Sequence, residues 1–299
     1  MQRILVTGGN GLLAHQLKTI APRDFQFTFA GHAEFDLTNT DQMAATLAAL
    51  KPHIVINTAA YNLVDRCETE RELSWSVNAA APELLAALCA RDGIRLVHYG
   101  TDYVFDGAQK RPYQETDMAH PLNHYAAGKF AGESAVLRAA PRNLVLRTSW
   151  VFDGHPTQAK TFVHTILKAA REGRPIKSTT DQVSVPTYAT DLAHWTLELL
   201  RHDGGGLNAG GLFHAVNDDG VSRFDWAKII LAEAVAAKLL PAAPPVEPVL
   251  SSFFSSTMRR PDYTVLSNEK LSKILGRPLG TWRVGLRKML ARMKADGLA

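Results

Sequence analysis

The sequence predicts an α/β fold built on a doubly wound parallel sheet, and three features carry that prediction. Short β-branched and aromatic runs alternate with alanine-rich helical stretches from the start of the chain to about residue 150, the pattern of a parallel sheet with crossover helices. The strand-like runs are almost continuously apolar, as strands covered on both faces must be. A glycine turn, Gly8-Gly-Asn-Gly11, joins the first strand-like run to the first helical one, the context that gives such a motif meaning.

Strands are expected at 3–7, 25–30, 54–58, 95–99 and 144–148, with helices at 12–20, 41–50, 73–91 and 125–137. Beyond Trp150 the alternation loosens, with helices expected at 161–172, 190–201, 223–238 and 279–294. A glycine-rich loop at 203–211 and a proline stretch at 241–248 break up this half. The chain therefore divides into a Rossmann-type domain at 1–150 and a smaller C-terminal α/β region at 151–299. Some segments of the second region are expected to return to the main sheet, and the rest to build a lid.

Over 299 residues, 46% apolar and 21% charged composition provides core for one large or two modest globular domains. The net charge of +4 is mild and its lysines and arginines are dispersed, which suits a phosphate-bearing small molecule and excludes a nucleic-acid track. Two cysteines, Cys67 and Cys89, are too few for a disulfide framework and indicate a reducing cytoplasm. Met1-Gln2-Arg3 leads straight into Ile4-Leu5-Val6, and the apolar run at 229–240 is interrupted by Glu233 and Lys238. Neither an export signal nor a membrane span is expected.

In the glycine turn, Gly8 permits the tight reversal and Gly11 lets the backbone approach a pyrophosphate. Asn10, Leu12 and Leu13 complete the entry to the helix, whose free amides bind the anion. Ala14 replaces the usual third glycine and still tolerates helix–strand packing. The second strand ends at Ala30-Gly31-His32, without an acid where one would grasp the adenosine ribose 2′-hydroxyl. A missing carboxylate removes repulsion against a 2′-phosphate, so NADP(H) is favoured and NAD(H) is the second cofactor. His32 is the nearby basic candidate for that phosphate.

Tyr125-Ala-Ala-Gly-Lys129 places a phenol and an ammonium one helical turn apart, on one face. Thr101 and Asp102 lie where the fourth strand ends, the ligand side of an open α/β sheet. Thr101 is expected to hydrogen-bond a substrate oxygen and Tyr125 to act as general acid in a carbonyl reduction. Matching a phenol of ordinary pKa about 10 to neutral pH requires about 4 kcal/mol of differential stabilisation. Lys129 and the positive oxidised nicotinamide are expected to share that task. Lys129 would also hold the nicotinamide ribose hydroxyls and so position the hydride donor.

With these residues in view, the sequence resembles the extended short-chain dehydrogenase/reductases, and within them the dTDP-4-dehydrorhamnose reductases. The resemblance runs almost end to end, through Gly8-x-x-Gly11, Asp36-Leu37-Thr38, Asn57-Thr-Ala-Ala-Tyr61-Asn-Leu-Val64-Asp65 and Val77-Asn78. It continues through Thr101-Asp-Tyr-Val-Phe-Asp-Gly107, Tyr125-x-x-x-Lys129, Arg147-Thr-Ser-Trp150 and Arg259-Arg-Pro261. It implies that Thr101, Tyr125 and Lys129 form the catalytic triad, with Asp36, Leu37, Ala59, Ala60, Tyr61 and Asn78 lining the cofactor. It places Val64, Asp65, Asp102, Trp150 and Arg260 against the nucleotide-sugar, and makes 151–299 mainly the nucleotide-sugar-binding region. The implied activity is NAD(P)H-dependent reduction of the 4-keto group of a dTDP-linked 4-keto-6-deoxy sugar, as in dTDP-L-rhamnose biosynthesis.

Three positions depart from the family pattern. Gly100 stands where serine usually precedes the threonine, and Ala126 where glycine follows the tyrosine; both are small, so altered packing rather than lost chemistry is expected. His15 occupies a position where some relatives carry a glutamate linked to magnesium at a dimer contact, so a magnesium-bridged dimer is not expected. Asp65 also reads as a helix start, as does Arg66; Trp150 also reads as core, and Arg259–Arg260 as a solvated pair, although guanidinium forks match phosphate oxygens. The eleven histidines, His98, His120 and His124 among them, show no metal spacing and read as structural or surface residues.

A dehydratase is disfavoured because Tyr103, not glutamate, follows Thr101-Asp102. A nucleotide-sugar epimerase of the same superfamily remains a competing reading. So does a non-catalytic regulatory subunit resembling the methionine adenosyltransferase beta subunit, since fold does not guarantee turnover. Oligomeric state stays open, with a homodimer through the helices near 73–91 and 125–137 as one arrangement.

Overall fold

Residues 1–153, 161–201, 210–256 and 258–297 are described by the computed structural model. The first half begins with β1 (Gln2–Thr7), α1 (Leu12–Thr19), β2 (Phe25–Ala30), α2 (Thr40–Leu50) and β3 (Ile54–Asn57). A short α3 (Arg71–Trp75) passes through a π-helical turn, Ser76–Ala80, into α4 (Ala81–Arg91). β4 (Arg95–Thr101), α5 (His124–Ala139) and β5 (Leu144–Thr148) complete this half. The single helix expected at 73–91 is therefore interrupted. Pro82, which has no amide to donate, sits in the first turn of α4 directly after the interruption.

The second half comprises β6 (Val151–Phe152), α6 (Phe162–Arg171), β7 (Ile176–Thr179), β8 (Val183–Ser184), β9 (Thr187–Tyr188) and α7 (Ala189–Arg201). It continues through β10 (Gly211–His214), β11 (Val221–Ser222), α8 (Arg223–Ala236), β12 (Val246–Val249), α9 (Glu269–Leu275) and α10 (Trp282–Ala295). The glycine-rich loop falls largely outside the described residues. The proline stretch is not wholly irregular, because its end forms β12, paired with β7. Pro248 is accommodated in a two-stranded pair, where strands are edges.

The main sheet has six strands in the order β10-β5-β4-β3-β1-β2, and all its pairings are parallel. The strand order reverses direction at β1, so a crevice opens beyond its carboxyl end between the β2 and β3 sides. Alternate residues of β1 face opposite ways. Ile4 and Val6 join Ile56, Val97 and Leu146 in a core with Leu17 of α1 and Leu192 and Trp195 of α7. Leu5 joins Val55, Leu96 and Val145 in a second core with Leu47 of α2, Leu85 of α4 and Val136 of α5. Burial on both faces explains why the strand sequences are apolar throughout. A third core, around Phe105, Phe152, Trp226, Trp282 and Met289, holds the rest of the second half.

Arg71–Arg91 is long and apolar enough to cross a membrane by length and composition alone, with a mean hydropathy of 1.2. In the fold it is interrupted by the π turn and lies against α5, with Ala81, Leu85, Ala86 and Cys89 buried and Leu73 and Trp75 exposed.

Candidate active site

The carboxyl ends of β1, β3 and β4 converge on one side of the sheet. After β1, Gly8 adopts φ +66, and a Cβ there would lie 2.9 Å from the Ala59 amide nitrogen; only glycine allows this approach of two backbones. Gly11 starts α1 in an extended conformation, with no side chain capping the helix and no acid in its first turn. Its amides are thus available to an anion, and the cradle fits a dinucleotide pyrophosphate. Asn10 and Ala60 are exposed, and Leu12, Leu13 and Ala59 half-buried, around this turn.

Asn78 comes from the π turn and clamps the Tyr61 backbone, accepting from its amide at 3.0 Å and donating to its carbonyl oxygen at 2.9 Å. π turns recur at functional sites because they re-aim a side chain out of helical register. The Tyr61 hydroxyl donates to Glu70. At the end of β2 the structure adds an acid that the strand itself lacks: a turn closed by Phe35 N and Gly31 O at 2.9 Å brings Glu34 beside Gly31. Asp36 accepts from the amide and hydroxyl of Thr38, both at 2.8 Å, and Leu37 is buried in the second core.

Thr101 ends β4, and α5 begins nearby because Asn123 caps it, its side chain accepting from Ala126 N at 2.8 Å. Tyr125 and Lys129 follow on successive turns. Burial pushes the Tyr125 phenol above its ordinary pKa, while a hydrogen bond with Thr101 works in the opposite direction. The expected Lys129–Tyr125 proximity takes a different form. The buried Lys129 ammonium donates to Tyr99 O at 2.6 Å and lies 3.5 Å from His98 Nε2. Burial lowers its pKa to about 8, against the pull of Glu133.

Behind Lys129 runs a buried polar chain across the strands. Thr7 Oγ1 donates to Asn57 Oδ1 at 2.7 Å, and Asn57 Nδ2 lies 3.1 Å from His98 Nδ1. His98 is held neutral, its pKa lowered well below the ordinary value by burial and by Lys129. A neutral ring can accept at one nitrogen and donate at the other.

Asp102 is fully buried and tied to the second half of the chain, accepting from Ser184 Oγ at 2.9 Å and from the hydroxyl of Thr264. Burial pushes its carboxyl up to about 6, against these donors. Asp65 and Arg260 meet each other: Arg260 Nη2 donates to both carboxylate oxygens at 2.8 Å, and Ser256 bridges the pair. Burial alone would raise the Asp65 pKa, but the hydrogen bonds from Ser256 and Arg260 hold it below the usual range. Val64 is half-buried just before this pair. Trp150, at φ 42, stacks on Trp226 with ring centroids 5.4 Å apart, so its ring is part of the third core's margin.

The family model described as RmlD substrate binding domain matches residues 1–295. The chain belongs to the RmlD substrate binding domain family. It is 37% identical to a dTDP-4-dehydrorhamnose reductase of Mycobacterium tuberculosis over 295 residues, covering 97% of this chain and 93% of that one. A Salmonella typhimurium protein of the same name is 33% identical over 294 residues, covering 97% of each. The crystal structure of the Bacillus anthracis dTDP-4-dehydrorhamnose reductase in complex with NADP is 29% identical, with a TM-score of 0.89 over 97% of this chain and 99% of that one. A Thermus thermophilus UDP-glucose 4-epimerase complex with NAD, at 20% identity and a TM-score of 0.80, shares the fold.

Within this RmlD-type frame, one departure from the reductase pattern has a physical cause. A Cβ at Gly100 would lie 2.6 Å from Glu133 Oε2 and 2.8 Å from Arg147 Cγ. Glycine therefore makes room for a buried ion pair in which Arg147 Nε donates to Glu133 at 3.0 and 3.1 Å. No group of three or more metal-ligating side chains occurs among the described residues.

Sequence reasoning missed Arg223. Its guanidinium lies 3.7 Å from the Trp150 ring centroid and 4.7 Å from that of Phe162, with Arg260, Asp102 and Tyr103 acting on its charge. Burial lowers its pKa to about 10, so it remains a cation. Arg223 follows an ordinary helix cap, Ser222, and nothing local distinguishes it from a solvated first-turn arginine. His98 is a buried structural histidine, as its lack of metal spacing implies, and its partners, Asn57 on β3 and Lys129 on α5, meet it only through the fold.

Proposed function

We propose that this chain is an NAD(P)H-dependent oxidoreductase that reduces the 4-keto group of a dTDP-linked 4-keto-6-deoxy sugar. The observation that carries the reading is the approach of Thr101, at the end of β4, and Tyr125, at the start of α5, in the strand-end crevice beside the open amino end of α1, with Lys129 on the next turn of α5. Family membership and the reductase relatives support it. The NADP complex of the Bacillus anthracis relative supports NADP(H) as the favoured cofactor, with NAD(H) as the second. The amides of α1 would hold the pyrophosphate, with Asn10, Ala59, Ala60, Tyr61 and Asn78 along the cofactor's path, and Asp36 and Leu37 at its adenosine end.

When bound, the reduced nicotinamide supplies hydride to the sugar carbonyl carbon. Thr101 holds the carbonyl oxygen, and Tyr125 gives that oxygen its phenolic proton, so the ketone becomes an alcohol. Because burial disfavours the phenolate, Tyr125 keeps its proton until negative charge develops on the oxygen beside it. Lys129 positions the cofactor ribose and supports the phenolate that the step leaves behind.

Residues 1–150 would serve the dinucleotide and 151–299 mainly the nucleotide-sugar. Arg223 and Arg260 present two guanidinium groups to the diphosphate, Trp150 borders the sugar, and Val64, Asp65 and Asp102 complete the pocket. Exposed Leu73 and Trp75 suit a homodimer contact, and a cytoplasmic location fits two unpaired buried cysteines.

The test is loss of reduced-nicotinamide absorbance with dTDP-4-keto-6-deoxy sugar, NADPH and NADH being run in parallel. Oxidation is expected with the native chain, and Tyr125→Phe is expected to lower it by about 10²-fold or more while NADP binding persists. Cofactor binding without turnover by the native chain would favour the regulatory-subunit reading instead.

A further inference from the structure

The buried polar chain behind Lys129 has a direction, and the backbone sets it. Asn57 Oδ1 accepts from the Ala59 amide at 3.2 Å and from Thr7 Oγ1 at 2.7 Å. A backbone N–H can only donate, so the end of the Asn57 side chain that meets Ala59 is its oxygen. The other end, the Nδ2 amide group, faces His98 Nδ1 at 3.1 Å. That amide needs an acceptor, so Nδ1 carries the lone pair. Burial and the Lys129 charge keep the ring neutral, and a neutral imidazole with a bare Nδ1 has its proton on Nε2.

Nε2 lies 3.5 Å from Lys129 Nζ. An ammonium has three donors and no lone pair, and one of those donors is directed at Tyr99 O, 2.6 Å away. The His98 N–H therefore meets a charged Lys129 donor to donor, but meets a neutral amine donor to acceptor. Thr7, Asn57, His98 and Lys129 are all buried, where such a mismatch counts for most. Of the other charged and titratable groups around α5, Glu133 favours the ammonium, but Arg147 of β5 holds it with Nε at 3.0 and 3.1 Å. Asp102, Tyr103 and Cys67 act on Tyr125, and Glu68, before α3, accepts from His124 N at 2.7 Å. His98, from β4, lies against the Lys129 nitrogen itself.

We propose that His98 is a positioning residue that acts through Lys129: its proton, fixed on Nε2 by Asn57, favours the neutral amine and so sets the alkaline limit of the reaction. With the proton on Nδ1 instead, Nε2 would accept from the ammonium, and the charge would persist to higher pH. The link to the reaction rests on the reading of Lys129 as part of the reducing site; the tautomer and its effect on Lys129 do not.

The test begins without substrate, on the full chain carrying isotope-labelled histidine and lysine. Nuclear magnetic resonance reports which nitrogen of the His98 ring bears the proton and follows the titration of Lys129, whose signal is identified by its loss in Lys129→Met. The native ring is expected to hold its proton on Nε2. Asn57→Leu removes the amide that fixes the ring, so the proton is expected to move to Nδ1 and the Lys129 midpoint to rise by about one pH unit, the size of one hydrogen bond. The alkaline limb of kcat/KM with NADPH is expected to rise with it. A native ring protonated on Nδ1 would overturn the proposal, and this measurement decides even where Asn57→Leu fails to fold. An unmoved Lys129 midpoint in a folded Asn57→Leu chain would overturn it too, as would a midpoint that moves while the alkaline limb stays in place. Absence of turnover by the native chain would instead bring down the reductase reading, and is told apart because the ring and lysine signals are read without substrate.

Discussion

Lys129 is an ammonium held in a dry place, and its chemistry follows from that cost. Burial lowers its pKa from the ordinary lysine value of 10.5 to about 8, so the folded chain carries the charge below about pH 8 and loses it above. The kcat/KM of the reduction is expected to fall as pH rises through about 8, as the ammonium is lost. A profile flat to pH 10 would show that its charge is not used. Stability moves the other way. Between about pH 8 and 10.5 the unfolded chain holds a proton that the folded chain has released, so stability rises with pH there. Below pH 8 the buried charge costs on the order of 3 kcal/mol. Lys129→Met is therefore expected to lose activity and to melt at higher temperature than the native chain at pH 7, measured by calorimetry.

At the scale of elements, the contact between β4 and α5 decides where Tyr125 and Lys129 stand. Gly100 faces Glu133 and Arg147 with no room for a Cβ. Gly100→Ser, which would restore the residue usual in the resembling family, is expected to destabilise this chain by about 1–3 kcal/mol through overpacking. Denaturant unfolding measures the loss, and an unchanged midpoint would mean that the ion pair moves aside freely.

The main elements of the first half were legible in the sequence because burial on both faces leaves an apolar run with clear ends. The glycine turn was legible because Gly8 and Gly11 answer a local backbone requirement. The two-residue strands β6, β8, β9 and β11 show no periodicity to read, and their pairing depends on packing around Trp226 and Trp282. The π turn escaped notice because its sequence is as helical as its neighbours. Arg223 and the donors to Asp102, Ser184 and Thr264, reach the site only through tertiary folding. Glu34 shows the same limit: an acid absent from the end of β2 arrives through a turn.

Across the whole molecule, the second half extends the main sheet through β10, covers it with α7, and brings Arg223 near Asp102 and Tyr103 of the first half. The proposed division of labour separates two kinetic constants. Arg223→Gln is expected to raise KM for the nucleotide-sugar by about tenfold or more, the loss of a charged hydrogen bond, while the dissociation constant of NADPH stays as in the native chain. Equal weakening of both ligands would mean that Arg223 supports the fold as a whole, through its stack on Trp150 and Phe162. The proposed catalytic residues come from the first half, but Asp102 beside Thr101 is held by Ser184 and Thr264, so the two halves meet at the proposed site.

The most direct measurement follows the hydrogen itself. With NADPH carrying deuterium at the transferable C4 position and a dTDP-4-keto-6-deoxy sugar, the account predicts one deuterium at C4 of the sugar product, detected by proton NMR and mass spectrometry. Tyr125→Phe should give almost none. Product with no deuterium at C4, or deuterium incorporation undiminished in Tyr125→Phe, would contradict a Tyr125-assisted hydride reduction at that carbon.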